Sequence, residues 1–207
     1  MIVTYNKQQV GDVLMIIMQD EKKQPVSFTR VGDVTRIFLQ ANDEATAFNL
    51  FNASKHLGEI SGNGEIALSA QQLDKLNCLI AEAGFSDVLQ YHKPRIVTAQ
   101  VLSLAPHPDS NHLKVAQVDI ATEVIQIVAG APNIEVGQIV VACLDGSMLP
   151  SGKLIFAGEL RGVKSAGMLA SARELSLPNA PQKRGILVLP QDTKLGIPFN
   201  PTQHWQG

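Results

Sequence analysis

Three clusters in the second half of the chain bring together side chains suited to binding an anion. The densest runs Gly158-Glu159-Leu160-Arg161-Gly162-Val163-Lys164-Ser165-Ala166-Gly167-Met168-Leu169-Ala170-Ser171. Arg161 and Lys164 are cations in a glycine-flanked loop, with hydroxyls beside them at Ser165 and Ser171. A guanidinium grips a phosphate with paired N–H groups, an ammonium acts as a point charge, and a hydroxyl is a neutral donor. The alternative for Arg161 is an ion pair with Glu159 or Glu174. Met168 is either a core plug or a soft surface for a nucleobase or a partner. A second cluster, Ile127-Val128-Ala129-Gly130-Ala131-Pro132-Asn133, is built of small residues that let backbones approach closely. Asn133 there either bonds a base edge or caps its own turn. In the third, Ala105-Pro106-His107-Pro108-Asp109-Ser110-Asn111-His112-Leu113-Lys114-Val115, the prolines fix φ and end a strand, and Asp109 or Ser110 bonds nearby amides. His107 reads as structural. Pairing it with His112 around zinc fails, because zinc needs three or four convergent ligands.

The segments that approach catalytic patterns are each incomplete. The segment from Gly146 to Lys153 has five residues between its glycines where a phosphate-binding loop needs four, and Leu154 stands where Ser or Thr must hold magnesium. In Gly162-Val163-Lys164-Ser165-Ala166-Gly167 the first glycine is one residue too far from the serine for a nucleophile elbow. His56 and Glu59 fall near Asp43 and Glu44, a common accident of surface composition. Cys78 and Cys143 have no neighbouring histidine and no metal-type spacing, and read as buried thiols of a reducing compartment. No catalytic residue, no metal and no cofactor are expected.

The elements that must position these clusters follow from periodicity. In the first half, strand-length apolar runs occupy 13–18, 26–30, 34–39 and 47–51, with a turn at 31–33. Ser69 with Gln72 three residues on forms a capping box. Leu73, Leu76, Leu79, Ile80 and Ala83 continue at helical spacing, and Gly84 is a natural stop. Gln90-Tyr91-His92-Lys93-Pro94 is a polar, proline-containing break. Beyond it, strands are expected at 95–104, 113–120, 124–129, 138–144 and 185–189, and the fourth of these is apolar on both faces. Five short strands separated by Gly, Pro, Asn and Asp turns fit a small barrel.

Apolar residues make up 45% of the 207 residues, enough for a core. Charged residues are 17%, below the usual quarter or so. No apolar run is long enough to span a membrane, and the N-terminus has no secretory pattern, so a cytoplasmic protein is expected. The net charge of −2 is uneven. Residues 1–92 carry 7 Lys/Arg against 11 Asp/Glu, and residues 93–207 carry 10 against 8. A polyanion partner therefore belongs to the second half.

Taken in order, His107-Pro108-Asp109, Leu113-Lys114-Val115, Ile127 to Asn133, Leu160-Arg161-Gly162, Ser165-Ala166-Gly167-Met168 and Ser171 resemble the EMAP-type tRNA-binding domain. The subtype they resemble stands at the start of the bacterial phenylalanyl-tRNA synthetase beta chain. A separate N-terminal domain before such a module resembles the standalone YtpR-type bacterial proteins. The resemblance spans about residues 95–200. It implies an OB-fold and tRNA binding with little dependence on tRNA identity. Further partners would be an aminoacyl-tRNA synthetase or a second copy in a homodimer. It carries Lys114, Arg161, Lys164, Ser165, Met168 and Ser171 onto the family's functional surface, beside Asn133. Two departures stand out. Gly158-Glu159 replaces a lysine common before Leu-Arg-Gly, and Ala129 and Ala170 stand where the synthetase subtype often has cysteine. The editing and core-interacting domains of a beta chain are not expected here. The expected fold is thus an α+β domain over 1–90, a linker at 91–94, an all-β OB-fold (five-stranded barrel) over 95–200 and a tail at 201–207.

Overall fold

A computed structural model describes residues 1–90 and 95–205; the linker read at 91–94 lies outside the described residues. The chain divides into two compact units, Met1–Lys93 and Pro94–Gly207. Antiparallel sheets dominate both, and helices are few.

In the first unit, β1 (Ile2–Tyr5), β2 (Val13–Ile17), β3 (Val26–Val31), β4 (Val34–Leu39), β5 (Ala45–Phe51) and β6 (Gly64–Glu65) form one sheet in the order β3-β4-β5-β2-β1-β6. Two helices accompany it, α1 (Ala53–Leu57) and α2 (Ala70–Glu82). The capping box at the start of α2 is present: the Gln72 amide donates to Ser69 Oγ, and the Ser69 amide donates to Gln72 Oε1. Leu73, Leu76 and Ile80 turn inward onto Tyr5, Leu14, Ile16 and Phe48. Gly84 adopts φ 85°, and Phe85 N–H returns to the Ile80 carbonyl, closing the helix. The capping of α1 is unusual. Its N-cap Asn52 makes no side-chain cap, and Asp12 accepts from the Ser54 amide instead. The strand β1 had no signal in the sequence reading, because Ile2 to Tyr5 are all buried and so do not alternate.

In the second unit, β7 (Ile96–His107), β8 (Ser110–Asp119), β9 (Val124–Ala129) and β10 (Ile139–Leu144) are joined by two short hairpin pairs and two further short strands. These are β11 (Ser147–Met148) with β12 (Leu154–Ile155), β13 (Gly158–Leu160) with β14 (Val163–Ser165), then β15 (Gly167–Leu169) and β16 (Val188–Leu189). The main sheet runs β15-β10-β7-β8-β9, and β16 pairs with β10. β10 explains its apolar run: Val140 and Ala142 enter one core, while Ile139, Val141 and Cys143 enter a second core on the opposite face. The two ends of the sheet are stitched together. Ala166 N–H donates to the Gln126 carbonyl at 2.8 Å, Gln126 Nε2 donates to the Lys164 carbonyl at 2.7 Å, and Val128 N–H donates to Ser165 Oγ at 3.0 Å.

Three expectations need correction. The fifth strand of the main path is β15, whereas 185–189 supplies only the short β16. Pro106 does not end β7; it pairs with Lys114, at a register shift where a missing N–H is tolerated. Residues 201–205, read as a tail, carry α3 (Pro201–His204), capped by Asn200, and Trp205 packs on the second core.

Candidate nucleic-acid interface

The Leu160-Arg161-Gly162-Val163 sequence makes a two-residue hairpin. Arg161 and Gly162 have φ 48° and 78°, the pair of left-handed residues that this tight turn demands. Arg161 is exposed at its tip, and Lys164 is exposed one pair further down, opposite Glu159. Neither Glu159 nor Glu174 pairs with Arg161; its Nη1 donates to the Asp109 carbonyl at 3.0 Å. His107 holds the same junction from beneath. It is buried, its Nδ1 accepts from Asp109 N–H, and its Nε2 lies 3.0 Å from the Leu160 carbonyl. Its structural reading therefore has a definite content: it anchors the cationic hairpin to the β7–β8 turn. Among the described residues, no three His, Cys, Asp or Glu side chains converge as a metal site.

The other expected site residues separate into three groups. Ser165 is a correction. It is buried, with Oγ donating to the Gly167 carbonyl and accepting from Val128 N–H, so it welds the sheet and offers nothing to a ligand. Asn133 is engaged too: Nδ2 donates to the Ile186 carbonyl and Oδ1 accepts from Ile186 N–H, so it pairs with a distant segment instead of capping its own turn. Lys114 is half-buried and donates from Nζ to the Ile134 carbonyl. Ser171 is locked with Glu174, whose carboxylate accepts from both its amide and its hydroxyl. Met168 packs on the second core and also lines a groove.

That groove is the feature sequence reading missed. It encloses about 820 Å³ between the end of β9, strand β15, the 151–156 loop and the 184–186 segment. A second depression of about 410 Å³ adjoins it, with Ser171, Arg173, Arg184, Gly185 and Ile186 shared between the two. Lys153, Arg173 and Arg184 line the first, and Lys183 joins Arg173 and Arg184 in the second. All four are exposed, and none makes an ion pair within 4 Å among the described residues. Glu174 is the one carboxylate lining the groove among the described residues, and it is bound to Ser171. Unpaired cations around a concave wall focus a positive potential into it. The only sequence signal was the adjacent pair Lys183-Arg184; Lys153 and Arg173 stand alone in the chain and meet through folding.

The thiol nearest this region is inert. Burial, and then the charge of Glu174, push Cys143 up to about 12. Cys78, in contrast to its reading, is exposed on α2. In the first unit the acid and histidine cluster does not assemble. His56 sits 2.8 Å from Asp33, while Asp43 pairs with Arg36.

An antiparallel β module bearing a cation-lined groove has the character of a polyanion-binding class of protein. Comparison with known proteins agrees. A family described as "Putative tRNA binding domain" matches residues 96–198, and one described as "Domain of unknown function" (DUF4479) matches residues 21–92. The chain is 42% identical to the "Putative tRNA-binding protein YtpR" of Bacillus subtilis over 196 residues, covering 94% of this chain and 97% of that protein. It therefore belongs to the YtpR family. Its second unit is also homologous to part of phenylalanine–tRNA ligase beta subunits. In Rhodospirillum rubrum the identity is 42% over 50% of this chain and 13% of that subunit; in Moorella thermoacetica it is 39% over 61% and 16%.

Proposed function

We propose that this is a non-catalytic, cytoplasmic tRNA-binding protein whose second unit, a five-stranded OB-type barrel over about 95–200, grips the RNA backbone with little regard to tRNA identity. An α+β domain over 1–90 and a linker at 91–94 precede it. The sheet-end hydrogen bonds between β9 and the 164–166 segment support the closed barrel. The observation that carries the binding is the groove lined by Lys153, Arg173, Lys183 and Arg184, with the hairpin cations Arg161 and Lys164 on the same unit. Cations without counter-charges attract any phosphate chain, which is the sequence-independent part of RNA recognition. Lys114, Asn133 and Ser171 shape the surface, and Met168 gives the groove an apolar floor.

A salt titration tests this. With about six cations contacting phosphates, log affinity for tRNA should fall with log salt at a slope of about 4 to 5. Arg173→Gln should lower that slope by about one and weaken unrelated tRNAs alike. Absence of any association with tRNA at low salt would remove the reading. Self-association, or association with an aminoacyl-tRNA synthetase, that is indifferent to tRNA and salt would replace it with a docking role.

A further inference from the structure

The two halves of the groove differ in one respect that a duplex would not need. Phe156 lines the larger depression and Trp205 the smaller, while Arg173 and Arg184 line both. The order is ring, cations, ring. Phe156 is half-buried and belongs to none of the core clusters among the described residues, so its ring is not explained by packing. Trp205 is held in place by its Nε1–H, which donates to the Pro178 carbonyl at 2.7 Å. Gly185 lines both depressions, and a side chain there would strike the Asn133 amide, so the segment beside the cations packs closely on Asn133.

We propose that this groove binds an unpaired stretch of RNA, with one base on Phe156, the next on Trp205, and the phosphate between them on Arg173 and Arg184. This rests on the tRNA-binding reading and adds to it which part of the RNA enters. In a dinucleotide step two flat apolar rings flank one charged linkage, and the lining has that sequence of chemistries. A duplex keeps its bases stacked on each other and presents phosphates and ribose hydroxyls, so it has no use for aromatic surfaces at the bottom of a groove. Base–aromatic stacking also tolerates any base, which suits a protein that does not read sequence. An acidic peptide would satisfy the cations and make no use of either ring.

The test uses the full chain and a single-stranded RNA of about six nucleotides, a length within the span of one such barrel. Trp205 is the chain's single tryptophan, so its fluorescence reports on the smaller depression. The single strand should quench it saturably, and a blunt RNA duplex of the same composition should not. Phe156→Leu keeps an apolar filler and removes the ring; it should weaken the single strand about tenfold, with Phe156→Tyr retaining affinity. Arg184→Gln, an exposed change that leaves packing alone, should weaken it and lower the salt slope by about one. Equal binding by Phe156→Leu and Arg184→Gln, or equal quenching by the duplex, would overturn the proposal. If tRNA binds and the oligonucleotide neither binds nor competes, the groove inference falls while the tRNA-binding reading stands. If neither associates, both fall. Displacement of the single strand by a poly-glutamate peptide at equal affinity would make the groove a general anion site and also overturn the inference.

Discussion

The Nε2 of His107 lies 3.0 Å from the carbonyl oxygen of Leu160, across 53 positions of sequence, while its Nδ1 accepts from the Asp109 amide. A backbone amide can only donate and a carbonyl can only accept, so the two contacts together require Nδ1 as acceptor and Nε2 as donor. One buried side chain thereby fixes the tip of β13–β14, where Arg161 is mounted, to the turn after β7.

Replacing that ring with an apolar side chain of similar size should expose its function. In His107→Leu the Leu160 carbonyl and the Asp109 amide lose their shared partner, at a cost of about 1–3 kcal/mol. Urea denaturation should report the loss. Hydrogen exchange at Gly162 and Val163 should accelerate beyond the global change, since the His107 contact and the Arg161 bond to the Asp109 carbonyl tie this end of the hairpin to the β7–β8 turn.

A second prediction concerns the groove wall. Asn133 pairs with both backbone groups of Ile186, as a strand would, and so holds the segment that carries Lys183 and Arg184. Asn133→Asp keeps the shape but can no longer donate, which sets a carboxylate against a carbonyl oxygen. It should therefore destabilise more than Asn133→Ala, which costs about 1–3 kcal/mol. Thermal denaturation of the two variants gives the order directly; the reverse order would mean the Nδ2 bond is not what holds the segment.

The glycine in Ser165-Ala166-Gly167-Met168 yields a third. Gly167 pairs with Leu144, and a methyl group there would strike the carbonyl of Cys143. The obstacle is backbone, so no side chain can move aside. Gly167→Ala should cost about 1–3 kcal/mol from overpacking, by the same denaturation measurement. It should also reduce RNA affinity, because β15 forms one side of the groove.

Local features were legible in the sequence because their causes are local. The Ser69–Gln72 capping box, the Val124–Ala129 strand and the run of β10 follow from residues that act within a few positions of one another. The site was legible only as motifs. Asn133, Ser165 and Ser171 have the polarity of ligand-binding residues, yet their partners lie elsewhere in the chain or turn back upon it. A hydroxyl's availability is decided by tertiary contacts, which sequence does not print. Lys153, Arg173 and Arg184 failed to register for the converse reason. Each is an ordinary surface cation until the fold sets them around one hollow.

The last prediction lies in the first unit and concerns pH. Tyr5 OH donates to Asp12 Oδ1 at 2.7 Å, and Ser54 donates to the same carboxylate from its amide and, at 2.7 Å, from its hydroxyl. Burial alone would raise the Asp12 pKa, but the donors from Ser54 and Tyr5 outweigh it and hold the group below the ordinary carboxylate value. A depressed folded-state pKa stabilises at every pH above the unfolded value of about 3.9, and the contribution disappears as pH falls through the folded one. Tyr5 behaves oppositely. Burial first, then Asp12, push it up to about 12, so its contribution is full below the unfolded value of about 10 and is lost as pH rises from there through the folded value. Asp12→Asn brings an amide N–H₂ to a site surrounded by donors, so one of Tyr5 or Ser54 loses its acceptor. The variant should be less stable than the parent by about 1–3 kcal/mol at neutral pH. The gap should shrink as pH falls below about 4, where the unfolded chain's carboxylate takes up a proton, and close as the folded parent's own carboxylate does so at lower pH. A stability difference that stays constant down to the acid transition would mean that the Asp12 charge, as distinct from its shape, has no role in joining β1 to α1.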